Sequence, residues 1–98
     1  MLDQFKMRPQ ELRNRGDDFK RAGGDIERII GEMGRWINDL KVNWEGQAAQ
    51  KFEQQFMDLK PHFNNMQELV TTISQQLHAS ATYVEEVDRE MAQKFGVQ

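Results

Sequence analysis

The residue types able to do metal or acid–base chemistry are sparse in this 98-residue chain, and their spacing works against such chemistry. His62 and His78 stand sixteen residues apart, which turns them roughly 160° from one another on a straight helix. They cannot share a metal within one chain. Leu59 and Gln75 occupy the positions three before each histidine, so the Glu-x-x-His pattern of di-iron bundles is missing. There is no cysteine, which removes thiolate ligands, thiol nucleophiles and disulfides together. Asp17-Asp18 and Glu85-Glu86 are adjacent pairs whose members project in different directions, and they read as solvated charges. No zincin helix, phosphate loop or nucleophile elbow occurs. The six methionines and six phenylalanines fall mostly on apolar seams and read as packing. No catalytic residue, metal or cofactor is expected, and the chain is not read as an enzyme.

The elements that carry these residues follow from composition and period. Charged residues make up 30% of the chain and apolar ones 38%, too apolar for disorder, and the length suits one domain. The net charge of -3 does not favour a nucleic-acid backbone. The basic residues near the beginning (Lys6, Arg8, Arg13, Arg15, Lys20, Arg21, Arg28) are interleaved with Asp17, Asp18, Asp25 and Glu27, as on a solvated helix face. No run approaches the roughly 18 apolar residues of a membrane span. The first twenty residues also lack the order of a cleavable signal peptide. If the protein is exported, the general secretory route is not expected to carry it.

Pro9, Gln10 and Glu11 make a favourable helix start, because proline fits the first turn and an acid there suits the helix dipole. Leu12, Gly16, Phe19, Gly23, Ile26, Ile30, Met33, Ile37 and Leu40 then recur at alternating steps of four and three. That is a heptad seam. Ala22, Ile29 and Trp36 form a second row beside it, and so wide an apolar face argues for a bundle. Asn43-Trp44-Glu45-Gly46 supplies a reversal. The seam resumes through Phe52, Phe56, Leu59, Phe63, Met66, Val70, Ile73, Leu77, Ser80 or Ala81, Val84, Val87, Met91 and Phe95. Its phase is the same on both sides of Pro61, so a kink rather than a break is expected there. The reading is a single domain, residues 1–98, with helix one at about 8–42, a turn at 43–46 and helix two at about 47–95.

Rods of about 50 and 70 Å, at roughly 1.5 Å per residue, touch along one stripe and leave part of each apolar face in water. A second copy would cover it. The expected fold is therefore all-α: an antiparallel two-helix hairpin with a Trp-x-Gly turn, dimerising into an elongated four-helix bundle. The hairpin and dimer core is expected from Leu12, Phe19, Ile26, Ile30, Met33 and Ile37 of helix one. Helix two is expected to add Phe52, Phe56, Leu59 and Phe63. With the turn near Trp44 and Glu45, residue n faces roughly residue 89 minus n, so everything after Ala81 is expected to overhang helix one. That overhang carries Val84, Val87, Met91 and Phe95 among Glu85, Glu86, Asp88 and Glu90. It reads either as a docking element or as a surface over which Leu2, Phe5 and Met7 fold.

Trp44-Glu45-Gly46, a Trp-x-Gly between two long amphipathic helices in a chain of about a hundred residues, resembles the WXG family of small proteins. These are the early-secretory-antigen-like substrates of type VII (ESX) secretion. The length, Pro9, the Leu59-Lys60-Pro61 step and the C-terminal pattern add to a likeness that covers essentially the whole chain. Trp44-Glu45-Gly46-Gln47-Ala48, Phe52-Glu53-Gln54-Gln55-Phe56 and Phe95-Gly96-Val97-Gln98 look most like its homodimeric Firmicute branch. The resemblance implies a secreted, homodimeric virulence factor, effector or co-secreted adaptor, recognised by the membrane ATPase of the secretion machine, with a related co-secreted protein as a second candidate companion. The family's export pattern, a tyrosine followed four residues later by an acid, falls on Val84 and Asp88, so the aromatic member is absent and Tyr83 is one residue out of phase. Its broader form is met by Val84, Asp88, Met91 and Phe95. Trp44 and Gly46 read either as a packed turn or, as the family implies, as part of a composite surface with the partner's tail. The alternative function is an intracellular adaptor bundle without export. Membrane contact is not expected from an acidic overhang.

Overall fold

The computed structural model describes residues 8–43 and 46–96. Two helices account for nearly all of them: α1 (Pro9–Asn43) and α2 (Gln47–Lys94). There is no strand among the described residues. The start of α1 is set as the sequence implies, with Pro9 in the first turn, Glu11 against the positive end of the helix dipole, and the Arg8 carbonyl accepting from the amides of Glu11 and Leu12 at 2.9 and 3.1 Å. Its end carries Lys41, and the Asn43 side-chain amide donates to the Asp39 carbonyl at 2.9 Å, occupying one acceptor of the last turn. Gly46 follows at φ +114°, a conformation that side chains with a Cβ rarely adopt, so this glycine makes the entry to α2. α2 continues through Pro61 without interruption, as the unchanged phase of its apolar residues implied.

The helices pack as two compact units. In the first, residues 9–20 of α1 run antiparallel to α2 from Thr71 onward: Gly16 meets Ser74, Asp17 meets His78 and Arg13 meets Glu85. In the second, Arg21–Val70, the remainder of α1 runs antiparallel to the beginning of α2, with Gly34 near Phe56 and Lys41 paired with Glu53 at 2.8 Å. The antiparallel hairpin read from the heptads is the observed arrangement.

Small side chains mark the innermost contacts. Ala81 is fully buried, and Gly16, Gly23, Ala49 and Ser74 are buried with Ile30 and Val84. A Cβ at Gly16 would stand 2.6 Å from the His78 ring and 3.2 Å from the Ser74 carbonyl oxygen, so the two backbones approach as closely as they do because that Cβ is missing. Larger seam residues lie half-buried to either side: Leu12, Ile26, Met33, Ile37, Phe56 and Phe63. Phe19, Phe52 and Leu59 are exposed in the single chain.

One expectation needs correction. The spacing predicts an overhang after Ala81, yet Val84 is only 6% exposed and Glu85 is tied to Arg13. The register itself is within a residue of the expected one, since Gly16 meets Ser74. What differs is reach. Side chains on a helix lean toward its N-terminus, so in an antiparallel pair Arg13 and Glu85 lean toward each other and span the offset. Among the described residues, contact between α1 and α2 therefore extends to Glu85, about one turn further than the spacing implied.

Candidate functional site

Among the described residues no group of three or more histidines and acids is placed to hold a metal ion. The polar chemistry of the first unit is structural. The buried Ser74 hydroxyl donates to the Gly16 carbonyl at 2.7 Å, fixing the close approach of the helices. His78 Nε2 lies 3.0 Å from Asp17 Oδ1, on an open groove of about 480 Å³ that Lys20, Thr71 and Gln75 also line. Arg13 grips Glu85 with both guanidinium nitrogens, at 2.9 and 2.5 Å. That hydrogen bond holds the Glu85 carboxyl below its ordinary 4.5, with the charge of Arg13 adding to it and partial desolvation opposing. Arg13 is pushed up in turn, by the same hydrogen bond.

The sign of the resulting pH dependence follows from linkage. A carboxylate with a depressed folded-state pKa contributes stability above its unfolded value and loses it as pH falls through the folded one. Wild type should therefore melt above Glu85→Gln at neutral pH. The gap should close as the pH drops below 4.5, the ordinary value, and shrink with added salt because both side chains are partly solvated. Thermal melts of the two proteins across this range check it; a gap that widens in acid would contradict the pairing.

The second unit presents a different surface. Phe52, Leu59 and Met66 follow one another at intervals of seven along α2, and all three are exposed. Ile29 and Trp36 do the same along α1, with Trp36 at 56% exposure. Seven residues are nearly two full turns, so each series lies along one side of its helix. Single exposed apolar residues are commonplace, but aligned series of large ones mark a surface built to be covered. In the first unit Phe19, Ile73 and Met91 are likewise exposed.

The expected docking residues separate. Val84 is buried, whereas Asp88, Met91 and Phe95 are exposed, Phe95 by 67%. α2 ends at Lys94, so Phe95 stands just beyond its last turn and Gly96 follows at φ +70°. Of the turn motif, Gly46 is described above; Trp44 and Glu45 lie outside the described residues, as do Leu2, Phe5 and Met7. Ala49 and Ser74 are contact residues that the seam did not include. Their signal is present, because Ala49 leads to Phe56, Phe63 and Val70, and Ser74 to Ala81, all at sevens. A small or polar member simply adds little to an apolar count.

Residues 4–89 match the model of a family described as proteins of 100 residues with WXG. The type VII secretion system extracellular protein A of Staphylococcus aureus (strain USA300) is 34% identical over 93 residues, covering 95% of this chain and 96% of that protein. Among solved structures, EsxA of Geobacillus thermodenitrificans superposes with a TM-score of 0.83 at 30% identity, over 91% of this chain and 98% of its own. The secreted protein EsxB of Bacillus anthracis str. Sterne does so with a TM-score of 0.76 at 28% identity, over 82% and 86%. No helix among the described residues is long and apolar enough to cross a membrane.

Proposed function

We propose, because this chain belongs to the family of proteins of 100 residues with WXG, that it is a secreted substrate of a type VII secretion system and works as a homodimer. Its role is to bind other proteins rather than to catalyse. It acts outside the cell as an effector, virulence factor or co-exported adaptor, and a related co-exported protein is a second candidate companion. The membrane ATPase of the secretion machine recognises its C-terminal end through Asp88, Met91 and Phe95, with the buried Val84 anchoring that end of α2. Trp44, Glu45 and Gly46 contribute, with the partner's tail, to a composite recognition surface.

The observation that carries the dimer is the exposed series Phe52, Leu59 and Met66. At about 25 cal/mol per Å² of apolar surface removed from water, covering such a face in both copies supplies a substantial driving force for association. The extracellular S. aureus relative, matched along nearly its whole length, supports the export. The exposed apolar side chains beside Asp88 support the tail as the address, since they combine an apolar anchor with a charge that fixes orientation.

Export is tested by the amount of protein in washed culture medium of a native host, full chain against Asp88→Ala. The full chain is expected in the medium, and the variant is expected inside the cell, folded and dimeric. Retention of both would favour an adaptor that stays within the cell. Export of both would move the address away from the tail.

A further inference from the structure

The second unit contains a groove of about 370 Å³ between α1 and α2, lined on the α1 side by Gly31 and Gly34 beside Ile30 and Ile37. A Cβ at Gly34 would meet only the Phe56 ring, at 3.9 Å, and one at Gly31 only the Arg35 guanidinium, at 3.8 Å, so there is room for a side chain from outside. Phe56 and Met57 line it, and Met57 is 54% exposed. Its rim carries Arg35 and Lys60, and among the described residues neither is in an ion pair. The one acid that lines it, Glu53, is held by Lys41 at 2.8 Å. The groove is thus apolar at the bottom and cationic at the edge.

It is also turned away from the surface assigned to dimerisation. Gly31 lies two residues after Ile29, and Gly34 two before Trp36, a rotation of about 200° in each case. A second copy seated on Ile29, Trp36 and the Phe52 series leaves this groove open.

We propose that the groove receives the C-terminal segment of another copy of the chain, joining basal units into larger assemblies. Both halves of the contact are defined. Asp88, Met91 and Phe95 share one side of the segment by their i, i+3, i+7 spacing, and all three are exposed. Met91 and Phe95 enter over Gly31 and Gly34 against Phe56 and Met57. Asp88 pairs with Lys60 or Arg35, and the flanking Glu86 and Glu90 strengthen the attraction to that rim. The exposed ion pairs make the assembly sensitive to salt. The contact needs neither export nor the secretion ATPase, so its test is independent of the function proposed above.

Sedimentation velocity of the full chain at low salt tests it, with helicity followed by circular dichroism. Wild type is expected to form species larger than its basal one by about 100 µM, weakened about tenfold when Arg35→Glu and Lys60→Glu are combined. Gly34→Leu, which fills the groove while favouring helix, should suppress them as well. Asp88→Lys alone should act like the rim variant, and Asp88→Lys combined with the rim reversal should restore assembly. Wild type confined to its basal species at that concentration overturns the proposal. So does assembly that persists unchanged in the folded rim and Gly34→Leu variants.

Discussion

Leu59→Asp combined with Met66→Asp is expected to convert the proposed dimer to a monomer. Both side chains are exposed in the single chain, so replacing them costs the isolated hairpin little, within about 0.5 kcal/mol each as for other surface substitutions. In the proposed dimer the same positions are covered by the second copy, and an unpaired carboxylate carried into such a seam costs several kcal/mol. Twofold symmetry counts each change twice. The dimer dissociation constant should rise by at least about 1,000-fold. Asn64→Asp, a polar and exposed position on α2 outside the series, should leave the mass unchanged. The measurement is mass by light scattering at several concentrations. A double variant that stays dimeric would place the interface elsewhere.

The second large effect contrasts two glycines of α1. Gly16→Leu puts a Cβ 2.6 Å from the His78 ring and 3.2 Å from the Ser74 carbonyl. The ring can swing aside, at the expense of its contact with Asp17, but the carbonyl belongs to the α2 backbone and the helices must separate. Separation also breaks the 2.7 Å bond from the buried Ser74 hydroxyl to the Gly16 carbonyl. Overpacking costs about 1–3 kcal/mol and an orphaned buried hydroxyl about 1–3, against a gain of up to about 1 from helix propensity, for a net loss of roughly 1–5 kcal/mol. Gly24→Ala meets nothing within 4 Å and should gain about 0.5–1 kcal/mol by restricting the unfolded chain. The pair of thermal melts should move in opposite directions. A Gly16→Leu protein that melts with wild type would mean the helices do not meet closely there.

Both effects bear on how much the sequence discloses. The two helices, the reversal and the passage through Pro61 are legible because alternating steps of four and three run from Leu12 to Leu40 and again from Phe52 to Met91, in one phase on both sides of Pro61. Gly16 is legible as a seam position for the same reason, and a missing side chain on a seam lets two helices approach closely. Which side of the seam faces the chain's own second helix is not legible. Phe52 and Phe56 are equally apolar, and only the placement of α1 half-buries the second while leaving the first exposed. The inner row also runs through Ala49, Ser74 and Ala81, residues whose smallness rather than hydropathy fits them for close packing. The pairing of Glu85 is not legible for a different reason: helix lengths fix where an axis ends, but not how far Arg13 reaches along it. The exposed glycines Gly24 and Gly31 make no close approach to α2, so nothing in the hairpin's periodicity explains them.

The central claim is that one hairpin is half of a structure, and the mass of the wild-type chain tests it most directly. Light scattering at about 10 µM, where an obligate dimer of this kind should be saturated, is expected to give twice the 11.5 kDa of a single chain together with full helicity. A mass of 11.5 kDa at that concentration, with helicity and melting intact, would contradict it, because the exposed Leu59, Met66 and Trp36 would then need no cover.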